Sequence, residues 1–223
     1  MKTDRHILMA DIIDSRRSKG SELIKNFKQL VSSVNTDEGE HLLSPLTITM
    51  GDEYQGVAHS LHSAIRILIS MEEKIVTAGK PFKLRHVILV GAVDTPVNTD
   101  SAHGMLGNGL TKARETLTSL KHRSWQKPDN IFKHARIRIV SPDKVTEARL
   151  NRLFLVYQGL SARWKKKDLK EVTAFLKYRD YRKVAEHLRK DESSAHRREK
   201  SLMVNEYLAI RELILSVADE ASS

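Results

Sequence analysis

Apolar residues follow two different spacings along this chain, and the change between them falls at Ser141-Pro142. Before that point, short apolar runs typical of β-strands alternate with longer segments whose apolar residues recur every three to four positions. Beyond it, only the helical spacing is found, together with a high density of charged residues. The pattern predicts an α+β domain over residues 1–144 and an all-α domain over residues 145–223.

Five strands and three helices are predicted in the first domain, in the order β-α-β-β-α-β-α-β. The strands are predicted at residues 6–13, 46–50, 54–58, 83–93 and 135–140, and helical faces at 23–34, 61–75 and 106–120. The first six elements match the ferredoxin-like or palm arrangement, a split βαβ unit with a mainly antiparallel sheet. Its second and third strands form a hairpin whose turn carries Gly51-Asp52-Glu53.

Composition excludes several classes of protein. The chain has no cysteine, which rules out a disulfide framework, a thiolate zinc site and a cysteine nucleophile, and is typical of a reducing compartment. No window approaches the roughly 18 apolar residues of a membrane-spanning helix. The histidines show no spacing typical of metal ligands. We therefore expect a cytoplasmic protein without a membrane partner.

The formal net charge of +10 is concentrated in one stretch. Between Arg163 and Lys200 the sequence holds 14 Lys or Arg against 7 Asp or Glu. Clustered positive charge is typical of surfaces that contact phosphates, so DNA is the leading partner predicted for this segment. The alternative is a basic face that is merely solvated.

Two acidic residues lie at the ends of strands that are neighbours in the predicted sheet. Asp11 is near the end of the first strand, and Asp52 is in the turn after the second. Paired carboxylates can hold Mg²⁺ beside a triphosphate, because Mg²⁺ takes one or two carboxylates and phosphate oxygens. The loop after Asp11 offers groups that suit phosphates, namely Ser15, Arg16, Arg17 and Ser18. The alternative is that these acids only form turns and helix caps, and that the arginines face water.

Three short segments resemble class III nucleotidyl cyclases and diguanylate cyclases over residues 6–140. They are Ala10-Asp11-Ile12-Ile13, Met50-Gly51-Asp52-Glu53-Tyr54, and Arg114 after a glycine-bearing loop. The resemblance implies that Mg²⁺ or Mn²⁺ binds to Asp11, Asp52, Glu53 and the carbonyl of Ile12. It also implies that Arg114 contacts a phosphate or its transition state.

Two positions differ from the cyclase pattern. Ile48 stands where cyclases carry a base-selecting lysine, and Leu110 stands where they carry an asparagine. These differences favour metal and nucleotide binding over cyclase chemistry.

Two longer strings resemble the SatD family of bacterial proteins. They are Asp11-Ile12-Ile13-Asp14-Ser15-Arg16 and Gly51-Asp52-Glu53-Tyr54-Gln55-Gly56. The resemblance implies a cyclase-like first domain, a C-terminal helix-turn-helix, and a bacterial or phage-associated origin.

The basic segment contains a candidate helix-turn-helix within three helices predicted from Trp164 onward. Its first helix is predicted at Tyr181–Leu188, where the small Ala185 permits a close helix crossing, and its turn at 189–192. The second helix is predicted to begin with Ser193 and Ser194 as N-cap residues. The predicted DNA-binding residues are Ser193, Ser194, His196, Arg197, Arg198 and Lys200. The alternative is a helical bundle whose basic face is solvated or packs on the first domain.

Two hypotheses follow from the acidic and basic segments together. In the first, the chain is a DNA-binding regulator whose N-terminal domain senses a nucleotide or second messenger through Mg²⁺. In the second, it is a metal-dependent nucleotidyltransferase or cyclase in which Arg114 is catalytic. The cyclase resemblance also implies a homodimer.

Overall fold

The computed structural model describes residues 3–15, 20–80, 82–122 and 131–221. These residues contain one sheet of five strands: β1 (Thr3–Ile12), β2 (Leu42–Ile48), β3 (Glu53–Ala58), β4 (Leu84–Val93) and β5 (Ile137–Val140). They also contain eight α-helices: α1 (Gly20–Asp37), α2 (Leu61–Thr77), α3 (Asn108–His122), α4 (Lys144–Ser161), α5 (Leu169–Tyr178), α6 (Tyr181–Leu188), α7 (Glu192–Ser201) and α8 (Val204–Glu220). The predicted order of strands and first three helices is confirmed.

The sheet has the strand order β2-β3-β1-β4-β5, with β1 at its centre. β1 pairs antiparallel with β3 and β4, β2 pairs antiparallel with β3, and β4 pairs parallel with β5. The sheet is therefore mixed, and the prediction of a mainly antiparallel sheet is wrong. The reason is the crossover through α3, which returns the chain so that β5 enters the sheet in the direction of β4.

The two faces of the sheet pack against different helices. Alternate residues of β1, Leu8, Ala10 and Ile12, lie in a large core cluster with α1 and α2. The residues between them, such as Ile7 and Met9, lie in a smaller cluster with α3. Because strand side chains alternate between faces, Asp11 belongs to the α3 face.

The helices after β5 share the larger of these cores. Phe154 and Tyr157 of α4 and Tyr207 and Ile214 of α8 are buried in the same cluster as the sheet residues. The hydroxyl oxygens of Tyr157 and Tyr207 are 2.8 Å apart. The division of the chain into residues 1–144 and 145–223 stays a prediction.

Four α-helices follow Trp164 in the described residues, so the prediction of three is wrong. The sequence between α5 and α8 is divided by residues in the left-handed backbone region: Arg179 (φ 53°), Arg189 (φ 52°) and Met203 (φ 54°). A left-handed residue ends a helix because it turns the next peptide group away from the helix axis. None of the helices in the described part of the chain has the length and apolar composition needed to cross a bilayer.

A buried ion pair links α2 to the strands. Both oxygens of Glu72 accept hydrogen bonds from the Arg136 guanidinium, and Glu72 Oε1 lies 2.9 Å from His86 Nε2. The other ring nitrogen of His86 lies 3.3 Å from the Tyr54 hydroxyl. Burial alone would raise the pKa of Glu72, but the charge of Arg136 and the hydrogen bonds from His86 and Arg136 outweigh it and lower the pKa to about 2.

We expect Glu72→Gln to lower the free energy of unfolding by about 3–5 kcal/mol near neutral pH, because the change leaves Arg136 buried without its counterion. The folded pKa of Glu72, about 2, lies below its ordinary value of 4.5. The ion pair therefore contributes its full stability above pH 4.5 and loses it as the pH falls through about 2. Denaturant unfolding at about pH 7 and about pH 3 measures both effects. Exposed Glu212 on α8 supplies the control Glu212→Gln, and an equal loss for Glu72→Gln at the two pH values would contradict the expectation.

Candidate functional site

The register of the sheet brings the predicted acidic residues together. Asp11 of β1 is paired with Glu53 of β3, and the backbone N–H of Ile12 donates to the carbonyl oxygen of Asp52 at 3.0 Å. The charges of Asp11 and Asp52 both contribute to the raised pKa of Glu53, behind burial as its main cause. Asp11 and Glu53 are therefore cross-strand neighbours, and Asp52 lies in the adjoining turn at the same end of the central strands.

Asp11 is held by an arginine that sequence reasoning missed. On its other side, Asp11 is paired with Arg85 of β4, whose Nε and Nη2 donate to its two carboxylate oxygens at 2.7 and 3.1 Å. The Asp11 side chain is only 7% exposed, and Lys121 Nζ of α3 lies 3.9 Å from it. The available signal was the position of Arg85 two residues before Val87, which places both side chains on the α3 face. Its register opposite Asp11 follows only from the folded sheet.

Asp52 and Glu53 also have partners. The hydroxyl of Ser15 donates to Asp52 Oδ2 at 2.6 Å, so one predicted phosphate-binding residue reaches the acidic turn. Glu53 Oε1 lies 2.8 Å from Arg114 Nη2 and accepts a hydrogen bond from the Thr49 hydroxyl at 3.3 Å. Burial raises the pKa of Glu53, and the charge of Arg114 opposes this only in part. Glu53 therefore takes up a proton more readily than an ordinary glutamate, and a nearby cation would favour its charged form.

A cleft of about 540 Å³ lies beside these acids, between the sheet and α3. Met9 and Gln55 of the sheet line it, opposite α3 residues that include Leu110 and Arg114. The helix approaches the sheet closely at Gly109, where a β-carbon would lie 2.7 Å from the carbonyl oxygen of Ala92. Arg114 lines the cleft and also contacts Glu53, so it joins the cleft to the acidic residues.

The oxygen atoms of this site are of the kind that bind Mg²⁺. In the structure, however, the carboxylates are already engaged in other contacts. Asp11, Asp52, Glu53 and the carbonyl of Ile12 supply oxygen, the ligand atom that Mg²⁺ prefers. Each of the three carboxylates already has an internal partner. Among the described residues, no group of three His, Asp or Glu side chains is arranged to hold an ion. Arg16, Arg17 and Ser18, which were predicted to bind phosphate, lie outside the described residues.

The basic helices α6 and α7 differ from the prediction at their junction. α7 begins at Glu192, and its N-cap is Asp191, whose side chain accepts from the backbone N–H of Ser194 at 3.0 Å. The prediction that Ser193 and Ser194 cap this helix is therefore wrong, because the carboxylate of Asp191 takes that role. The Ser193 hydroxyl instead donates to Asp191 at 2.5 Å. Arg189 has left-handed backbone angles at the end of α6, where a glycine is typical of helix-turn-helix motifs.

The remaining predicted DNA-binding residues fall into two groups. Arg197 and Lys200 are exposed on α7. Arg198 instead holds α7 against α5. Its guanidinium donates to Glu171 of α5 and to Asp168, the residue just before α5, at 2.7 Å each. The ring of His196 is partly buried, with its centroid 4.9 Å from that of Tyr181.

The chain matches the family model described as SatD family over residues 6–217. No curated protein is significantly similar to the chain.

Solved structures that match part of the chain include three nucleotidyl cyclases. A bacterial light-regulated adenylyl cyclase is 16% identical, with 62% of this chain and 76% of that chain covered and a TM-score of 0.42. The guanylate cyclase domain of RhGC from Catenaria anguillulae, in complex with GTP, is 17% identical, with 51% and 71% covered and a TM-score of 0.39. The adenylyl cyclase CyaB from P. aeruginosa is 13% identical, with 55% and 73% covered and a TM-score of 0.38.

We expect Arg85→Met to destabilise the fold by about 3–5 kcal/mol, because it leaves the buried carboxylate of Asp11 without its bidentate partner. Adding Asp11→Asn to that variant removes the uncompensated charge and is expected to recover much of the loss. Denaturant unfolding of the single and double variants measures this coupling. Arg138→Met, at a more exposed ion pair with Glu147, is the control and should cost far less. The expectation is contradicted if the double variant loses as much free energy of unfolding as Arg85→Met and Asp11→Asn lose separately in sum.

Proposed function

The chain belongs to the SatD family, and on that premise we propose that it is a DNA-binding regulator whose sheet region binds a nucleotide or second messenger with Mg²⁺. The observation that carries the first half of the proposal is the grouping of Asp11, Asp52 and Glu53 beside a cleft that Arg114 lines. DNA binding, the second half of the proposal, rests on the exposed basic side chains of α6 and α7.

The cleft has the mixed chemistry that a nucleotide requires. Met9 and Leu110 offer apolar contacts for a base, while Gln55 and Thr111 offer hydrogen bonds to its polar edge. The phosphates would extend toward the acids, where Arg114, Arg85 and Lys121 supply positive charge. Arginine suits this role because its planar group binds phosphate oxygens in pairs.

Metal binding at this site requires the carboxylates to give up their present contacts. Asp11, Asp52, Glu53 and the Ile12 carbonyl would hold Mg²⁺, which would supply positive charge to offset that of the phosphates. In the structure, Arg85 occupies both oxygens of Asp11. Phosphates would offer Arg85 and Arg114 new acceptors as the carboxylates turn to the cation. Metal and nucleotide are therefore expected to bind together much more strongly than either binds alone.

Calorimetric titration tests this expectation with Mn²⁺ as the probe and a non-hydrolysable guanosine or adenosine triphosphate analogue. We expect each to raise the affinity of the other by about tenfold or more. Asp52→Asn should remove this coupling, whereas Asp4→Asn, at the exposed opposite end of β1, should not. The proposal is contradicted if Mn²⁺ binds equally well without nucleotide, or if Asp52→Asn leaves the coupling intact.

An enzyme is the second candidate function, and the position of Arg114 favours it. Its guanidinium lies 2.8 Å from Glu53, where it would meet a triphosphate bound by the acids. Separation of the products after incubation with each triphosphate and Mg²⁺ or Mn²⁺ distinguishes the two functions. If the wild-type protein turns over a triphosphate and Asp52→Asn does not, the chain is a nucleotidyltransferase or cyclase rather than a sensor.

A homodimer belongs to the same proposal. Leu106 is 67% exposed although it lines the cleft, so an apolar group remains uncovered at the nucleotide position. The dimer is proposed from the resemblance to cyclases, and a second copy of the chain would then cover Leu106. Sedimentation of the calorimetry samples reports whether nucleotide binding and dimerisation occur together.

DNA binding is proposed for the exposed basic side chains of α6 and α7. Arg197 and Lys200 lie on α7, and Arg182 and Lys183 lie on the exposed part of α6. Arg198 has a different role in this proposal, because its contacts with α5 position α7 rather than leave its guanidinium available.

We expect the double change Arg197→Ala/Lys200→Ala to weaken binding to duplex DNA by about tenfold or more at about 50 mM salt, since each cation removed eliminates one phosphate contact. The slope of log K against log salt should fall by about two. Gel-shift or fluorescence-anisotropy titration at several salt concentrations measures both. Lys25→Ala/Lys28→Ala, on exposed positions of α1, is the charge-matched control. An unchanged slope would exclude α7 as the contact surface.

A further inference from the structure

A second cavity, of about 280 Å³, lies where the sheet meets the C-terminal helices. It is bounded by the end of α2, the start of β4, and the segment that joins α4 to α5. No described residue lines both this cavity and the cleft beside α3. The cavity is therefore separate from the proposed nucleotide site.

One wall of the cavity is aromatic and rigidly held. Trp164 lines it, and its indole N–H donates to the carbonyl oxygen of Leu202 at 2.9 Å. The Trp164 ring also packs on Tyr207, with the ring centroids 4.6 Å apart. Phe82 is a second lining ring and is 6% exposed. Fixed rings of this kind bind a flat apolar group without losing side-chain entropy on binding.

The rim of the cavity carries unbalanced positive charge. Arg136 lines the cavity, but Glu72 balances its charge. Lys80, Lys83 and Lys166 line it as well, and no ion pair of the described residues includes any of them. The hydrogen bonds of Lys80 go to the neutral amides of Asn26 and Gln29, at 2.8 and 3.4 Å.

We propose that this cavity binds a small aromatic anion. Its ring system would lie against Trp164 and Phe82, and its acidic group would be held by Lys83 and Lys166, while Lys80, whose ammonium donates to Asn26 and Gln29, would add positive charge at the rim. The volume, about 280 Å³, is at the lower limit of small-molecule sites, which fits a compact fused-ring acid. A carboxylate, a sulfonate and a phosphate share the charge that this cluster of lysines recognises.

Fluorescence of Trp164 tests the proposal directly. The sequence has two tryptophans, so Trp125→Phe leaves Trp164 as the only one. In that background, the probe is the anion 8-anilinonaphthalene-1-sulfonate, and the matched neutral probe is N-phenyl-1-naphthylamine. We expect saturable quenching of Trp164 by energy transfer, with the anion bound about tenfold more tightly than the neutral dye.

Substitution of the lysines identifies where the anion binds. Lys83 and Lys166 are exposed, so Lys83→Gln/Lys166→Gln is expected to fold normally and to weaken binding of the anion by about tenfold or more. It should leave the neutral dye unaffected, and Lys25→Gln/Lys28→Gln should change neither dye. Ala162→Phe, which fills the cavity from its exposed edge, should abolish binding of both.

The opposite results would overturn the proposal. Equal affinity for the two dyes, or an affinity for the anion that the double lysine change does not alter, excludes recognition by these lysines. Competition with 1-naphthoate and 1-naphthyl phosphate shows which acid is preferred, since displacement by either supports the proposal and displacement by neither overturns it. Asp52→Asn should leave dye binding unchanged, so failure at the acidic site is distinguishable from failure here.

Discussion

The hydrogen-bond register of β1 determines where the charged groups of the acidic site lie. β1 is central and antiparallel to both neighbours, so Asp11 meets Glu53 on one side and Arg85 on the other. Moving β1 by a single residue would transfer Asp11 to the opposite face, into the apolar core with α1 and α2. The candidate metal site, the cleft beside α3 and the role of Arg114 therefore all depend on this register.

On the face of the sheet that packs against α2, the buried ion pair of Glu72 and Arg136 joins separate elements. It joins α2 to the residue just before β5, and His86 connects it to the middle of the sheet. Arg136 also lines the second cavity, whose aromatic wall comes from Trp164. Residues of the sheet and of the C-terminal helices therefore share a core cluster, and each cavity is formed by distant parts of the chain.

Charge compensation distinguishes the two candidate binding regions. At the acidic site, Asp11 and Glu53 are paired with arginines and a lysine, and Asp52 accepts from Ser15, so a ligand of Asp11 or Glu53 must exchange existing ion pairs. At the second cavity, Lys80, Lys83 and Lys166 line the wall without carboxylate partners in the described residues. The first arrangement favours joint binding of cation and polyphosphate, while the second favours a single anion.

The sequence by itself determined the local elements of this protein. Alternating and helical spacings predicted the strands and the first three helices, and the motifs around Asp11 and Gly51-Asp52-Glu53 predicted an acidic site where the register then pairs Asp11 with Glu53. Only the tertiary structure decided the parallel pairing of β5, the partner of Asp11, and the use of Arg198 to hold α7 against α5. The physical reason is that spacing along the chain encodes the face on which a side chain lies. Its partner on another strand or helix depends on register and packing between segments far apart in sequence.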